Sequence, residues 1–249
     1  MGDSMVASTI MITGAGGTEF EAYLARPSDD GRRGGVVVIH HLPGYDRGTK
    51  EMTRRFAALG YDAVCPNLFW RDAPGAAPDD AAAVSRAKGG VPDDRLIGDV
   101  AGAAAYLRSL PGSNDRVGVI GHCSGGRQSV LAACNVEVDA AVDCYGAFVT
   151  GTPPPEHPLQ VTNLVDQLPN LACPLLGLFG AEDRAPSPEH VDELSRILTE
   201  HGKDFEMHSY PDAGHGFFAV DRPSYRIAAA IDGWQKIAAF YGTHVGTEV

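Results

Sequence analysis

The hexapeptide Gly121-His122-Cys123-Ser124-Gly125-Gly126 is the segment of this sequence best suited to chemistry. It joins a β-branched run, Arg116-Val117-Gly118-Val119-Ile120, to a helical pattern that continues through Ala133. A side chain centred on such a strand-to-helix turn is lifted above the sheet, and a Cβ on either flanking glycine would crowd the turn. The start of the helix favours a thiolate through its dipole, and its free N–H groups can face a developing oxyanion. Cys123 is therefore the expected nucleophile. Ser124 is one position out of frame with the glycines. The bland reading is an inert buried thiol beside a glycine-rich turn, and the strand-turn-helix context weighs against it.

A thiol in that place needs a base, and the base needs an orienting acid. Two downstream segments supply them in the order nucleophile, acid, histidine. Phe179-Gly180-Ala181-Glu182-Asp183 follows an apolar strand, and Tyr210-Pro211-Asp212-Ala213-Gly214-His215-Gly216-Phe217 follows another. His215 is the expected base. Asp183 is favoured as the acid because it lies past a strand end, with Glu182 and Asp212 as alternatives. Cys65, Cys134, Cys144 and Cys173 sit in or beside apolar elements and read as structural. His157, His190, His201, His208 and His244 lack metal-ligand spacing, so no metal is expected.

The elements that must carry these residues alternate. Strands are expected over 35–40, 61–65, 116–120, 138–145, 174–179 and 205–210. Helices are expected over 50–59, 96–110, 124–133, 188–201 and 226–241. Short apolar strands alternating with helices imply a mostly parallel sheet covered by helices on both faces. Residues 8–13 and 20–24 flank a glycine cluster and predict an antiparallel hairpin at the sheet edge. The Gly14-Ala15-Gly16 start is not a dinucleotide loop, because position 19 is Glu and no helix follows. Residues 71–92 and 149–157 read as irregular loops leaving strand ends, where binding loops lie in open α/β sheets. No internal repeat or long linker divides the chain, so residues 1–249 are expected to form one domain.

Composition bounds the partners. The chain has 249 residues, 44% of them hydrophobic, and a net charge of −12. An acidic surface repels phosphate backbones, so nucleic acid is not an expected partner. No stretch approaches the roughly 18 apolar residues of a membrane span. The five cysteines are odd in number and include no C-x-x-C. Together with an N-terminus that carries neither a signal peptide nor a myristoylation motif, they predict a reducing, cytoplasmic setting. A monomer or homodimer acting on a small molecule fits this composition.

From Phe20 to Tyr241 the chain resembles the dienelactone hydrolase (carboxymethylenebutenolidase) family of the α/β-hydrolase superfamily. The cysteine turn at 121–126 carries the resemblance, supported by Gly60-Tyr61-Asp62-Ala63-Val64-Cys65-Pro66-Asn67-Leu68, by 179–183 and by 213–217. It implies an α/β-hydrolase fold without a lid domain, and a Cys123-Asp183-His215 triad with no cofactor. It further implies a thiol-ester route for small lactones or esters, and an oxyanion hole from the N–H groups of Leu42 and Ser124. Two departures stand out. His41 occupies the place of a family glutamate that helps generate the thiolate. Ala219 stands where an arginine would bind a substrate carboxylate, leaving Arg71, Arg86 and Arg222 as candidates for that role. His41 is expected either to favour the thiolate as an imidazolium or to donate a hydrogen bond to substrate. His40, Phe69, Trp70, Tyr145, Phe148 and Phe217 are candidate pocket residues. The competing functions are a general carboxylesterase or thioesterase, and a non-catalytic ligand-binding or redox-sensing protein.

Overall fold

The computed structural model describes residues 4–246. The two ends of the expected 1–249 domain, including the first residues of the N-terminus read above, lie outside that range. Eight strands form one sheet: β1 (Met5–Thr13), β2 (Glu19–Pro27), β3 (Arg33–Ile39), β4 (Asp62–Pro66), β5 (Ser113–His122), β6 (Ala140–Cys144), β7 (Leu175–Gly180) and β8 (Phe205–Tyr210). Their order across the sheet is β1-β2-β4-β3-β5-β6-β7-β8. β2 pairs antiparallel with both β1 and β4, and every other pairing is parallel. The expected edge hairpin is β1–β2, longer at each end than its sequence pattern indicates.

Among the described residues six α-helices cover the sheet: α1 (Arg47–Ala58), α2 (Pro78–Ala87), α3 (Asp93–Ser109), α4 (Ser124–Asn135), α5 (Pro188–Glu200) and α6 (Ile227–His244). Strand residues alternate between the two faces, as a pleated sheet requires. Val37, Ile39, Val117 and Val119 pack under α2, α3, α4 and α5. Val36, Val38 and Ile120 pack under α1 and α6. Both faces are thus buried, which accounts for the near-continuous apolar strands. No described helix is long and apolar enough to cross a membrane.

One expectation fails. Residues 71–92 are not all irregular, because they contain α2. Pro78 at the first helical turn, Asp79 and Asp80 against the helix dipole and a run of alanines make a good helix start. The 149–157 segment does lack regular structure.

Arg71 is also placed otherwise than a substrate contact would be. Its guanidinium makes two bonds, 2.6 and 2.8 Å, to the fully buried carboxylate of Asp99, which also accepts the N–H of Ala15 at 2.9 Å. This ties the turn of the β1–β2 hairpin and the start of the 71–92 segment to α3. Removing one partner of a buried pair leaves an uncompensated charge. Arg71→Met is expected to lower unfolding stability by about 3 kcal/mol, read as a fall in the urea midpoint. An unchanged midpoint would show that the pair is dispensable.

Candidate active site

The parallel strands end on one edge of the sheet, and register keeps those ends level. Ile39 stands opposite Gly121, and His122 opposite Cys144. The loops after β3, β5, β6 and β7 therefore converge where α/β folds bind their ligands.

Cys123 links β5 directly to α4 and has φ 57° and ψ −122°. This is a left-handed conformation that a non-glycine residue enters only under strain. The two glycines make it possible. A Cβ on Gly121 would lie 1.9 Å from the carbonyl oxygen of Gly125, and a Cβ on Gly125 would lie 2.5 Å from that of Ile39. The Cys123 N–H is held by the Cys144 carbonyl at 3.0 Å and its own carbonyl accepts from Gly126 at 2.9 Å, so the turn is pinned on both sides. Cys123 is partly exposed, whereas the other four cysteines are buried. Burial pushes the thiols of Cys65, Cys134, Cys144 and Cys173 up, which leaves them inert.

His215 Nδ1 meets Asp183 Oδ2 at 2.8 Å. Asp183 is 6% exposed, and its other oxygen accepts the Ala185 N–H at 2.9 Å. Glu182 and Asp212 both point to solvent, so of the three acids it is Asp183 that meets the imidazole. Burial alone would lower the pKa of His215. The hydrogen bonds and charges of Asp183 and Cys123 outweigh it and push the value up to about 10. With Nδ1 taken by Asp183, Nε2 is the nitrogen left for the thiol.

These groups lie on the wall of one cavity of about 660 Å³. Leu42, Phe69 and Phe148 line it, together with Leu68, Val91, Leu159 and Val161. Ser124 stands at the start of α4 and Leu42 in the loop after β3, and neither backbone N–H has a protein acceptor among the described residues. Both are therefore free to face an oxyanion.

The other sequence candidates divide. His40 lines the cavity but is a structural pin: its Nδ1 bonds the His41 carbonyl at 3.0 Å and its Nε2 accepts the Leu68 N–H at 3.1 Å. Burial pushes its pKa down to about 4, so it stays neutral. His41 also lines the cavity, 3.6 Å from Asp46. Burial lowers its pKa despite the pull of Asp46, which removes support for a resting imidazolium and leaves the hydrogen-bonding role. Tyr145 is buried with its ring 5.1 Å from that of His215 and supports it from behind. Phe217 is fully buried, stacked on Phe218. Trp70 packs against the core. None of these three reaches the cavity wall, and neither do Arg71, Arg86 or Arg222. Arg86 is an exposed residue of α2, and Arg222 is exposed, its charge felt by His41 and Tyr145. Sequence reasoning missed Gln128, Arg127, Asp93 and Arg184 on the wall. Gln128 and Arg127 carried a signal, since they follow Ser124 at helical spacing on the helix of the nucleophile turn.

The raised pKa of His215 makes stability depend on pH. Its contribution is complete below pH 6.5, the ordinary imidazole value, and is lost as pH climbs toward about 10. Asp183→Asn is expected to flatten that decline. Urea midpoints of both proteins between pH 6.5 and 10 test this, and parallel curves would contradict it.

The chain and its fold have counterparts among known proteins. The family model described as the dienelactone hydrolase family matches residues 20–245. A Salmonella typhimurium protein provisionally named carboxymethylenebutenolidase is 33% identical, over 98% of this chain and 90% of its own length. An Escherichia coli protein with the same provisional name is 34% identical, over 98% of this chain and 89% of its own. The crystal structure of a Klebsiella pneumoniae protein, provisionally a dienelactone hydrolase, superposes with a TM-score of 0.82 at 29% identity, covering 97% of this chain and 100% of that one. The chain belongs to the dienelactone hydrolase family, with its α/β-hydrolase fold.

Proposed function

We propose that this hydrolase cleaves small carboxylic esters or lactones through a thiol ester on Cys123. The observation that carries the reading is the strained Cys123 turn beside the 2.8 Å His215–Asp183 pair, both on the wall of one mostly apolar cavity.

The substrate carbonyl is bound with its oxygen toward the N–H groups of Leu42 and Ser124. The thiol proton passes to His215 Nε2, and Sγ attacks the carbonyl carbon. Two N–H donors stabilise the resulting oxyanion, each typically contributing about 3 kcal/mol. The C–O bond then breaks, and the departing alkoxide takes the proton from His215. In a lactone that alcohol stays attached to the acyl chain. Acylation removes the thiol and its negative charge, and with them the part of His215's raised pKa that Cys123 supplies. His215 then accepts a proton from water, whose oxygen attacks the thiol ester. Collapse releases the acid, and the proton returns to sulfur.

Asp183 keeps Nε2 turned to the reacting atoms and stabilises the imidazolium. His41, neutral on the cavity wall, serves as a hydrogen-bond donor to substrate. A free nucleophilic thiol suits a compartment that keeps thiols reduced, so the cytoplasm is the fitting location. The relatives' names put lactones first among the substrates to try, ahead of linear esters and thioesters.

The test is hydrolysis of a chromogenic acetate ester and of a lactone panel by wild type and Cys123→Ala, both checked for folding by circular dichroism. Turnover in wild type that vanishes in the variant is expected, and equal turnover in both would remove Cys123 from the mechanism. His215→Gln is expected to lower kcat/KM by about a thousandfold. A loss under tenfold would exclude His215 as the base.

A further inference from the structure

Among the described residues four that are not glycine have a positive φ: Asp115, Cys123, Tyr145 and Phe148. Asp115 lies near the start of β5, at the opposite end of that strand from the site. The other three belong to the site. Cys123 carries the proposed nucleophile, and Tyr145 supports the His215 ring from behind. Phe148, with φ 64°, has no part in the hydrolytic cycle. Strain of this kind persists only where the surroundings over-determine it, and it gathers where a residue is put to use.

The backbone on each side of Phe148 is fixed. Before it, the Gly146 N–H bonds the fully buried Asp143 carboxylate at 2.7 Å. A Cβ on Gly146 would lie 2.4 Å from the backbone nitrogen of Arg127, so this loop packs against α4 four residues beyond Cys123. After Phe148, the Val149 carbonyl accepts the Leu164 N–H at 2.8 Å, and the Thr150 hydroxyl bonds the His190 carbonyl at 2.8 Å. Held between these anchors, Phe148 stands on the wall of the cavity that also holds Cys123.

The partly buried Phe148 ring meets that of His157, with centroids 4.9 Å apart and planes at 71°. Both residues line the cavity. Two rings at such an angle form a corner. A flat ring lying parallel to one presents its edge to the other, and aromatic pairs favour both arrangements. A saturated group of similar size buries its area there without those contacts.

We infer that Phe148, with His157, forms a binding face for an aromatic ring, and that the ester or lactone carries an aryl group on the part that lies against the loop after β6. Phe148 is then a specificity-determining residue, held in a strained conformation for that contact. This deepens the ester-hydrolase reading of the same cavity and rests on it.

The experiment is calorimetric titration of 3-phenylpropanamide and 3-cyclohexylpropanamide, which differ only in the ring. Amides resist hydrolysis, so binding is read without turnover. Wild type is expected to bind the phenyl compound about threefold or more tighter. In Phe148→Gly the ratio is expected to fall to about one or below. Glycine takes a positive φ without strain, so this variant keeps the local backbone. Phe148→Leu retains apolar bulk and is expected to lose the preference as well, and His157→Leu is expected to lose part of it. The face is refuted if the phenyl preference survives in both Phe148 variants, if wild type binds the cyclohexyl compound as tightly, or if wild type binds neither. Hydrolysis of ethyl 3-phenylpropanoate by wild type is measured alongside. Hydrolysis without a ring preference sinks the aromatic face alone, and a ring preference without hydrolysis sinks the ester reading alone.

Discussion

The site depends on how closely the start of α4 can approach the ends of β3 and β5. Gly121 and Gly125 set that distance: a Cβ on the first would meet the backbone of the second, and a Cβ on the second would meet the end of β3. The approach drives Cys123 into its left-handed conformation. It also places the first N–H of α4 next to the loop after β3, which carries Leu42. One steric constraint thus positions the thiol, the helix dipole and both candidate oxyanion donors. The strain at Cys123 is stored in a sheet buried on both faces and heavily cross-bonded, where it cannot relax locally.

A second close approach brings in the base. A Cβ on Gly180 would lie 2.3 Å from the Ala213 carbonyl oxygen, which instead accepts the Glu182 N–H at 2.9 Å. The loops after β7 and β8 are fastened together there, so Asp183 and His215 face each other although neither is in a regular element. Tyr145, which also has a positive φ, lies under the His215 ring. Its residue type suggested a substrate contact, yet its work is to hold the imidazole against the end of β6.

Much of this was legible in the sequence, for physical reasons. A nucleophile turn needs small residues at fixed offsets, and buried parallel strands need unbroken apolar runs. The turn at 121–126, the edge hairpin and the order of every strand and α-helix except α2 could therefore be read directly. Asp183 was distinguished from Glu182 and Asp212 only by its place past a strand end, and the structure puts it on His215. The cavity wall was much less legible. Whether Arg71 faces substrate or Asp99 depends on a residue far along the chain. Aromatic residues near strand ends divide between cavity and core by packing that residue type does not show: Phe69 and Phe148 reach the wall, Trp70 packs on the same face as Phe69 without reaching it, and Tyr145 and Phe217 lie in the core of the opposite face. Residues 78–87 were masked as a helix by the proline, glycine and aspartate around them, although the proline and aspartates are its start signals. The residue type of His41 suggests a cation, whereas its burial, which the sequence does not show, favours the neutral ring.

The central claim is that acyl transfer passes through the sulfur of Cys123. The most direct measurement is a rapid acid quench of the wild-type protein during turnover of p-nitrophenyl acetate, followed by peptide mass mapping. The account predicts an acetyl group on Cys123, released by hydroxylamine as a thiol ester is, and none at that position in Cys123→Ala. An acetyl group on Ser124, or steady turnover with Cys123 never modified, would contradict it.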